Sequence, residues 1–285
     1  DNTEKYGLRV LGAIEKDRVL TEEDLQMAIH IGQLVTLSFQ AATNFEREKS
    51  LRTLFQKYVP AVVLEGIQSL QGGQVAPRTC QISSLFVDLR NFTPRAEKFA
   101  PERTIEMLNH YTAFVTEKIA AHGGIIDKLA GDGVNAFFPE SNSANYKDDA
   151  LLTAIDILAH LPDLEGEFFL RGFGPCDLGI GLNSGTATVG NLGCDRKLDY
   201  TAVGDTVNLA ARLQELTKDL RDQFPARGLL VANKTTLSNC SLDAPFQKWG
   251  EIPIRGRSNS ETLYYLTDDA AREWLKGFSR TKKAA

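Results

Sequence analysis

Two aspartates in this sequence are placed where they could bind metal ions. Asp88 ends the apolar run 85–87, and Asp132 lies between two glycines at the tip of a predicted hairpin. Each has a structural explanation by itself, because aspartate often caps helices and also occupies tight turns. Two carboxylates at the ends of neighbouring strands, however, suit a pair of divalent cations that assist phosphoryl transfer. The pair therefore predicts a metal site at one edge of a sheet.

Asn208 and Arg212 are spaced i and i+4 on a predicted helix that begins at Asp205. Residues with this spacing share one side of a helix. The apolar stripe of the same helix comprises Leu209, Leu213, Leu216 and Leu220. An amide and a guanidinium on the flank of that stripe could stabilise a negatively charged transition state. The alternative is a solvated flank on which Arg212 pairs with an acid such as Glu215.

Lys128 precedes Asp132 by four residues, inside an otherwise apolar hairpin. Burying an ammonium group is costly unless it finds an acceptor, and a nitrogen of a nucleotide base would be one. The alternative is a lysine at a sheet edge whose charged end reaches water. Thr201, in the polar stretch 199–204, is the second candidate contact for a base.

The hydrophobic pattern predicts the elements that position these residues. They are a strand over 82–89, a helix over 101–121, strands over 125–129 and 134–138, a helix over 148–160, strands over 178–182 and 186–189, a helix over 205–220, and strands near Leu229 and Leu263. The cluster Asn183-Ser184-Gly185 predicts a turn between the strands 178–182 and 186–189. This order predicts a ferredoxin-like α+β sheet with helices on one face.

The first part of the chain has a different pattern. A short strand is predicted over 7–14, and Thr21 to Asp24 resembles a capping box that opens a long helix running towards Pro60. This helix is either a packed surface helix or part of a parallel two-helix coil. The coil is favoured for its later part, because residues 44–49 are nearly all polar.

Composition excludes several classes of function. The 285 residues are 42% hydrophobic and 24% charged, which indicates a globular chain with a core. A formal charge of −5 and a pI near 5.5 disfavour broad binding to nucleic acid or anionic membranes. Four cysteines without a CxxC pair indicate a reducing compartment, and no apolar run is long enough to span a membrane. Because the sequence begins without Met, it is expected to be a piece of a longer protein.

Four motifs together resemble the class III nucleotidyl cyclases. They are, in this order, FVDLRNFT, DKLAGDG, NSGTATVGNLG and DYTAVGDTVNLAARL, and the resemblance extends from about residue 80 to residue 266. About the first forty residues resemble the end of a GAF sensor domain. The two resemblances imply a GAF-like fragment over 1–42, a helical linker over 43–79, a cyclase catalytic domain over 80–266 and a C-terminal tail over 267–285.

The cyclase resemblance assigns roles to the candidate residues. It implies that Asp88 and Asp132, assisted by the carbonyl of Leu89, hold two divalent ions, Mg²⁺ or Mn²⁺. It further implies that the turn at Phe92 and Thr93 cradles phosphates.

By the same resemblance, Lys128 and Thr201 read adenine, while Asn208 and Arg212 stabilise the transition state. A family lysine that contacts the terminal phosphates is replaced here by arginine, either Arg255 or Arg257.

The implied activity is conversion of ATP to cyclic AMP and pyrophosphate at sites shared between the two subunits of a homodimer. The pairing of Lys128 with Thr201 resembles a bacterial adenylate cyclase subgroup, because guanylate cyclases typically carry an acid at the lysine position. A guanylate cyclase and a non-catalytic nucleotide-sensing dimerisation module are the alternatives. The expected setting is a cytoplasmic signalling protein of a bacterium.

Overall fold

A computed structural model describes residues 21–58, 76–194, 196–224, 226–257 and 259–284. They fall into two compact units that divide after Glu65. The first unit contributes one described helix, α1 (Glu22–Tyr58). Its start confirms the predicted capping box, since the amide of Asp24 donates to the Thr21 hydroxyl at 3.2 Å. The predicted strand over 7–14 lies outside the described residues, so the GAF-like fragment stays a prediction, as does the coil.

The second unit alternates strands and helices along the chain. Its elements are β1 (Arg78–Leu89), α2 (Phe92–Ala96), α3 (Pro101–Ala121), β2 (Ile125–Ala130), β3 (Gly133–Pro139), α4 (Tyr146–Ala159), α5 (Leu161–Leu170), β4 (Leu178–Cys194), β5 (Lys197–Val203), α6 (Asp205–Gln223), β6 (Gly228–Asn233), α7 (Lys234–Ser238), β7 (Gln247–Pro253), β8 (Ser260–Thr267) and α8 (Asp268–Ala284). The predicted C-terminal tail therefore contains a helix. Among the described residues, no helix combines the length and the apolar character that crossing a bilayer requires.

The strands form one sheet in the order β2-β3-β1-β4-β6-β8-β7, with β5 paired to β4. Neighbouring strands are antiparallel except β4 and β6. The first four strands in this order, with α3 and α4 as their connections, have the ferredoxin-like arrangement. The predicted α+β fold is confirmed.

The prediction of helices on one face only is wrong. Side chains of β6 alternate between two cores: Leu230 packs in the core that includes α3, α4 and α5, whereas Leu229 and Val231 pack with leucines of α6. Because successive strand residues point to opposite faces, α6 covers the face opposite to the other three helices.

The predicted turn at Asn183-Ser184-Gly185 is also wrong, because β4 runs through it without a break. Asn183 donates to the carbonyl of Thr206 at 2.9 Å and accepts from the Thr236 hydroxyl at 3.2 Å. Ser184 lies opposite Ser83 of β1, with their hydroxyls 2.7 Å apart. These turn-forming residues instead bond to neighbouring elements. Strands β5 and β7 were not predicted from the sequence.

Helix α6 packs unusually close to β4 at Gly181. A Cβ atom built there would overlap the backbone oxygen of Ala210 and the backbone nitrogen of Gln214. Since the contact is with backbone, no side-chain rotation can relieve it. The glycine therefore sets the distance of α6 from the sheet, and with it the position of every residue on that helix.

We expect Gly181→Ala to lower the free energy of unfolding by about 1–3 kcal/mol, the usual cost of overpacking. Urea unfolding followed by circular dichroism would measure it. Gly166→Ala is the matched control, because nothing lies within 4 Å of a Cβ at this position in α5. There, alanine should stabilise the helix by about 0.5–1 kcal/mol. Equal effects of the two substitutions would contradict the close-packing explanation.

Candidate active site

The structure brings Asp88 and Asp132 together. Asp88 lies near the end of β1 and pairs in register with Gly133, the first residue of β3. Asp132 lies in the turn that connects β2 and β3, and its carbonyl accepts a hydrogen bond of 3.3 Å from the amide of Leu89. The hairpin and the end of β1 are thus joined at one edge of the sheet, as the sequence predicted.

Electrostatics at this edge favour a bound cation. Burial raises the pKa of the Asp88 carboxyl, and the neighbouring charge of Asp132 raises it further. Arg90 opposes both effects through an ion pair of 3.1 Å with the Asp88 carboxylate. The charges of Arg90 and Lys218 do not outweigh burial and the charge of Asp132, since the pKa of the Asp88 carboxyl is raised on balance, and a bound cation would stabilise both carboxylates.

This donor set fits magnesium or manganese. Mg²⁺ is commonly held by one or two carboxylates together with substrate phosphates, and not by an all-protein cage. The described ranges contain no group of three or more acidic, histidine or cysteine side chains arranged for a metal. The carbonyl of Leu89, next to Asp88 in β1, is the additional protein oxygen predicted from the sequence.

The turn after β1 leads from Asp88 directly into the short helix α2. Asn91 adopts a left-handed conformation with φ 56°, which bends the chain into the short helix α2. Phe92 packs partly against the core and Thr93 is exposed. The amides of a first helical turn have no partner within the helix, so they are available to a ligand.

Lys128 and Thr201 lie on β2 and β5, two strands that contact each other. Lys128 is exposed within one chain, which leaves both alternatives for this lysine open. Thr201 is buried, with 3% of its surface exposed.

Asp127 lies between Lys128 and Thr201 and was missed by the sequence analysis. A bulge in β2 at this residue re-aims its side chain. Burial raises the pKa of the Asp127 carboxyl, while contact with Thr201 and the charge of Lys128 lower it. Its Oδ1 atom is buried and accepts no hydrogen bond from the described part of the chain. The signal in the sequence that could have identified Asp127 is its position directly before Lys128, the candidate base-reading lysine.

Asn208 and Arg212 lie on α6 but do not face Asp88. The residues of α6 that surround Asp88 and Arg90 are Gln214, Thr217 and Lys218. At about 100° per residue, Asn208 is turned by about 120° from Gln214, and Arg212 by about 160°. Within one chain, Asn208 and Arg212 therefore lie on a different side of α6 from the side that faces the two aspartates.

The alternative in which Arg212 pairs with Glu215 is not seen. No ion pair of Arg212 is present within the described ranges. Its guanidinium instead lies over the backbone of Gly256, where a Cβ would be 3.2 Å from Nη2. This contact joins α6 to the loop that carries Arg255 and Arg257.

Those two arginines differ in their contacts. Arg257 is held by ion pairs with Asp205 and Glu261. Arg255 is exposed, and the described residues contain no acid paired with it. Arg255 is therefore the arginine with its charge available to a ligand.

Residues 75–268 match the family model for the adenylate and guanylate cyclase catalytic domain. The chain belongs to this family. Its catalytic domains act on nucleotides, use divalent metal ions and work as dimers. The matched span covers all eight strands and ends at the first residue of α8.

A curated relative supports the same assignment. Adenylate cyclase 1 of Rhizobium meliloti (strain 1021) is 30% identical to this cyclase over 243 residues, which are 84% of this chain and 35% of that protein. This cyclase chain thus spans about a third of the relative's length.

Solved structures of an adenylyl cyclase and of a guanylyl cyclase both resemble this chain. The adenylyl cyclase CyaB from P. aeruginosa is 27% identical with a TM-score of 0.61, covering 67% of this chain and 95% of that one. The guanylyl cyclase Cya2 is 27% identical with a TM-score of 0.60, covering 67% of this chain and 93% of that one. Overall likeness therefore does not distinguish an adenylate from a guanylate cyclase, and the base-contacting residues must.

Proposed function

We propose that this domain converts ATP to 3′,5′-cyclic AMP and pyrophosphate at two equivalent sites, each shared between the subunits of a homodimer. The proposal rests on one observation: within one chain, the candidate metal ligands and the candidate transition-state residues lie on different sides of α6. Asp88 and Asp132 meet at one sheet edge, whereas Asn208 and Arg212 of the same chain are turned away from them. A site that contains all four residues therefore requires a second chain, related to the first by a two-fold axis.

An exposed apolar surface supports the dimer. Leu192 of β4 and Val203 of β5 are 56% and 53% exposed. They share one face of the β4–β5 hairpin, because Leu192 pairs in register with Asp199 and every second residue of a strand points to the same side. Exposed apolar side chains grouped on neighbouring strands are typical of a protein interface.

The residues of the two chains would divide the chemistry. Asp88 and Asp132 of one chain hold two divalent ions, which supply charge neutralisation for the triphosphate and activation of the ribose 3′ hydroxyl. Arg212 and Asn208 of the other chain donate hydrogen bonds to the anionic transition state at the α-phosphate. The amides at Phe92 and Thr93 bind phosphate oxygens.

The loop that carries Arg255 and Arg257 would bind the terminal phosphates of the nucleotide. We propose Arg255 for this contact, because Arg257 is already neutralised by Asp205 and Glu261. A free guanidinium binds phosphate oxygens in a fork of two hydrogen bonds.

The base pocket supports ATP as the substrate. Adenine offers a ring-nitrogen acceptor beside an exocyclic amino donor. Lys128 supplies a donor for the nitrogen, and Thr201 a hydroxyl that can donate or accept.

Incubation of the purified chain with ATP or GTP, each with Mg²⁺ or Mn²⁺, followed by chromatography of the products, tests the proposal. Cyclic AMP as the main product supports it. Cyclic GMP as the main product would instead support a guanylate cyclase. Nucleotide binding without any cyclic product, by a chain that dimerises, would support a non-catalytic sensing module.

We expect Lys128→Glu to reduce the preference for ATP over GTP. An unpaired polar group in a binding site costs about 1–3 kcal/mol, which corresponds to roughly a 5- to 150-fold change in the ratio of kcat/KM values. The ratio is measured with both nucleotides under identical conditions. Lys234→Glu, the same charge change at an exposed position on α7, is the control. An unchanged ratio for Lys128→Glu would show that Lys128 does not read the base.

A further inference from the structure

Arg90 is a buried cation next to the proposed metal site, and the role just proposed for the site leaves it unexplained. Only 5% of its surface is exposed. Its Nη1 donates to Oδ2 of Asp88 at 3.1 Å. Its Nη2 donates to the carbonyl of Gln214 at 2.7 Å and also to the hydroxyl of Thr217. One guanidinium thus bridges a metal-site carboxylate on β1 and the backbone of α6.

The surroundings are shaped to this bridge. A Cβ at Gly179 of β4 would overlap both the Arg90 guanidinium and the Thr217 hydroxyl. The amide of Arg90 donates to the carbonyl of Asp177 at 2.8 Å, which fixes the backbone from which the side chain extends. Only a planar group with several fixed donors can bond in two directions at once, so lysine is not equivalent here.

The ion pair with Arg90 affects Asp88 in two ways. Nη1 of Arg90 donates to Oδ2, so the guanidinium helps to orient the Asp88 carboxylate, together with the Gln214 side chain of α6, whose contact lowers the pKa of the same carboxyl. A cation at Asp88 would also repel Arg90 and compete with it for the carboxylate. Such competition shifts Arg90 towards its other partners, Gln214 and Thr217 on α6.

We propose that Arg90 is a positioning residue that transmits the presence of a divalent cation at Asp88 to helix α6. The inference rests on the proposed role of Asp88 as a metal ligand. Because α6 also carries Asn208 and Arg212, which serve the other site of a shared-site dimer, Arg90 links the two sites of the dimer. By reciprocity, occupancy of one site then changes metal affinity at the other.

The test uses the full chain with Mn²⁺ alone as the probe. Mn²⁺ affinity is measured by electron paramagnetic resonance, and amide hydrogen exchange of residues 213–218 is measured with and without saturating Mn²⁺. In the wild-type chain, Mn²⁺ should change exchange in this segment, and Asp88→Asn should abolish that change. Arg90→Lys keeps the charge but loses the bridge, so Mn²⁺ should still bind while the response of α6 disappears.

Thr217→Val provides a second variant, which leaves Arg90 in place and removes one of its two α6 partners. It should weaken the exchange response in the same direction. Arg221→Lys is the matched control, because Arg221 also joins α6 to the sheet edge, through an ion pair of 2.6 Å with Asp177, but does not bond to Asp88. This variant should respond to Mn²⁺ as the wild-type chain does.

Activity gives an independent measurement. Misplacement of a metal ligand by less than 1 Å is expected to lower kcat of Arg90→Lys by about 10- to 100-fold with little change in KM. Conversely, an unchanged response of α6 in Arg90→Lys and Thr217→Val, or no response in the wild-type chain, overturns the proposal. If Asp88→Asn binds Mn²⁺ as tightly as the wild-type chain, the metal site itself is wrong, which is a separate result.

Discussion

Asp88→Asn and Asp132→Asn should each lower kcat by at least about 1,000-fold, because each removes a negative charge that the proposed ions require while preserving side-chain shape. Loss of a comparable preorganised electrostatic contact costs about 100- to 1,000-fold in other enzymes, and a ligand shared by two ions should exceed that. Cyclic nucleotide formation, measured over a range of Mn²⁺ concentrations, gives the effect on turnover and on apparent metal affinity.

The control for both substitutions is Asp243→Asn, the same chemical change at an exposed aspartate outside the site. Circular dichroism and gel filtration should show the same fold and dimer for all three variants. Since removal of one carboxylate relieves the repulsion between Asp88 and Asp132, neither site variant should be less stable than the control by more than about 1 kcal/mol. Near-normal activity of Asp88→Asn or Asp132→Asn would refute the metal assignment.

Asp88→Ala and Arg212→Ala chains should each be nearly inactive alone and should recover activity when mixed. In a mixed dimer, one shared site receives both substitutions and the other receives neither. Free exchange of subunits makes about half of the dimers mixed, and half of the sites in these are intact, so recovery should approach about a quarter of wild-type activity. Activity is measured after exchange has been demonstrated with differently tagged chains.

A second mixture controls for non-specific effects of mixing. Asp88→Ala and Asp132→Ala chains carry substitutions that belong to the same half of the site, so every site of their mixed dimer contains one substitution. This mixture should stay inactive. Recovery by both mixtures, or by neither despite subunit exchange, would contradict a site that is divided between Asp88 with Asp132 and Asn208 with Arg212.

The difference between these mixtures follows from the geometry of α6. The turn of this helix that faces Asp88 carries Gln214 and Thr217, while Arg212 is turned about 160° away and lies over Gly256. The sequence predicted that Asn208 and Arg212 share one flank. It did not show which side of the sheet that flank faces, because this depends on how α6 packs on β4.

Local patterns predicted much of the fold. The helix over 101–121 was predicted with its observed ends, since Pro101 and the glycines at 123–124 mark them. Strand β4 was predicted as two strands because Asn, Ser and Gly favour turns locally. Their bonds to Thr206 and Thr236, 23 and 53 residues away from Asn183, outweigh that preference and are invisible to a local pattern.

The amino-acid sequence was enough to identify the four cyclase motifs and to predict that Asp88 and Asp132 lie together at the ends of neighbouring strands. The roles of the candidate residues for base and transition state came from the family resemblance that these motifs carry. Spacing alone fixes geometry only within one helical turn, as for Asn208 and Arg212, or within one hairpin, as for Asp132. The folded structure was needed to show that Arg257 is paired and Arg255 is free, that Asp127 keeps a buried acceptor beside Thr201, and that Arg90 joins Asp88 to α6. Each of these depends on contacts between segments far apart in the chain, whose charges and burial exist only after the sheet and α6 have packed together.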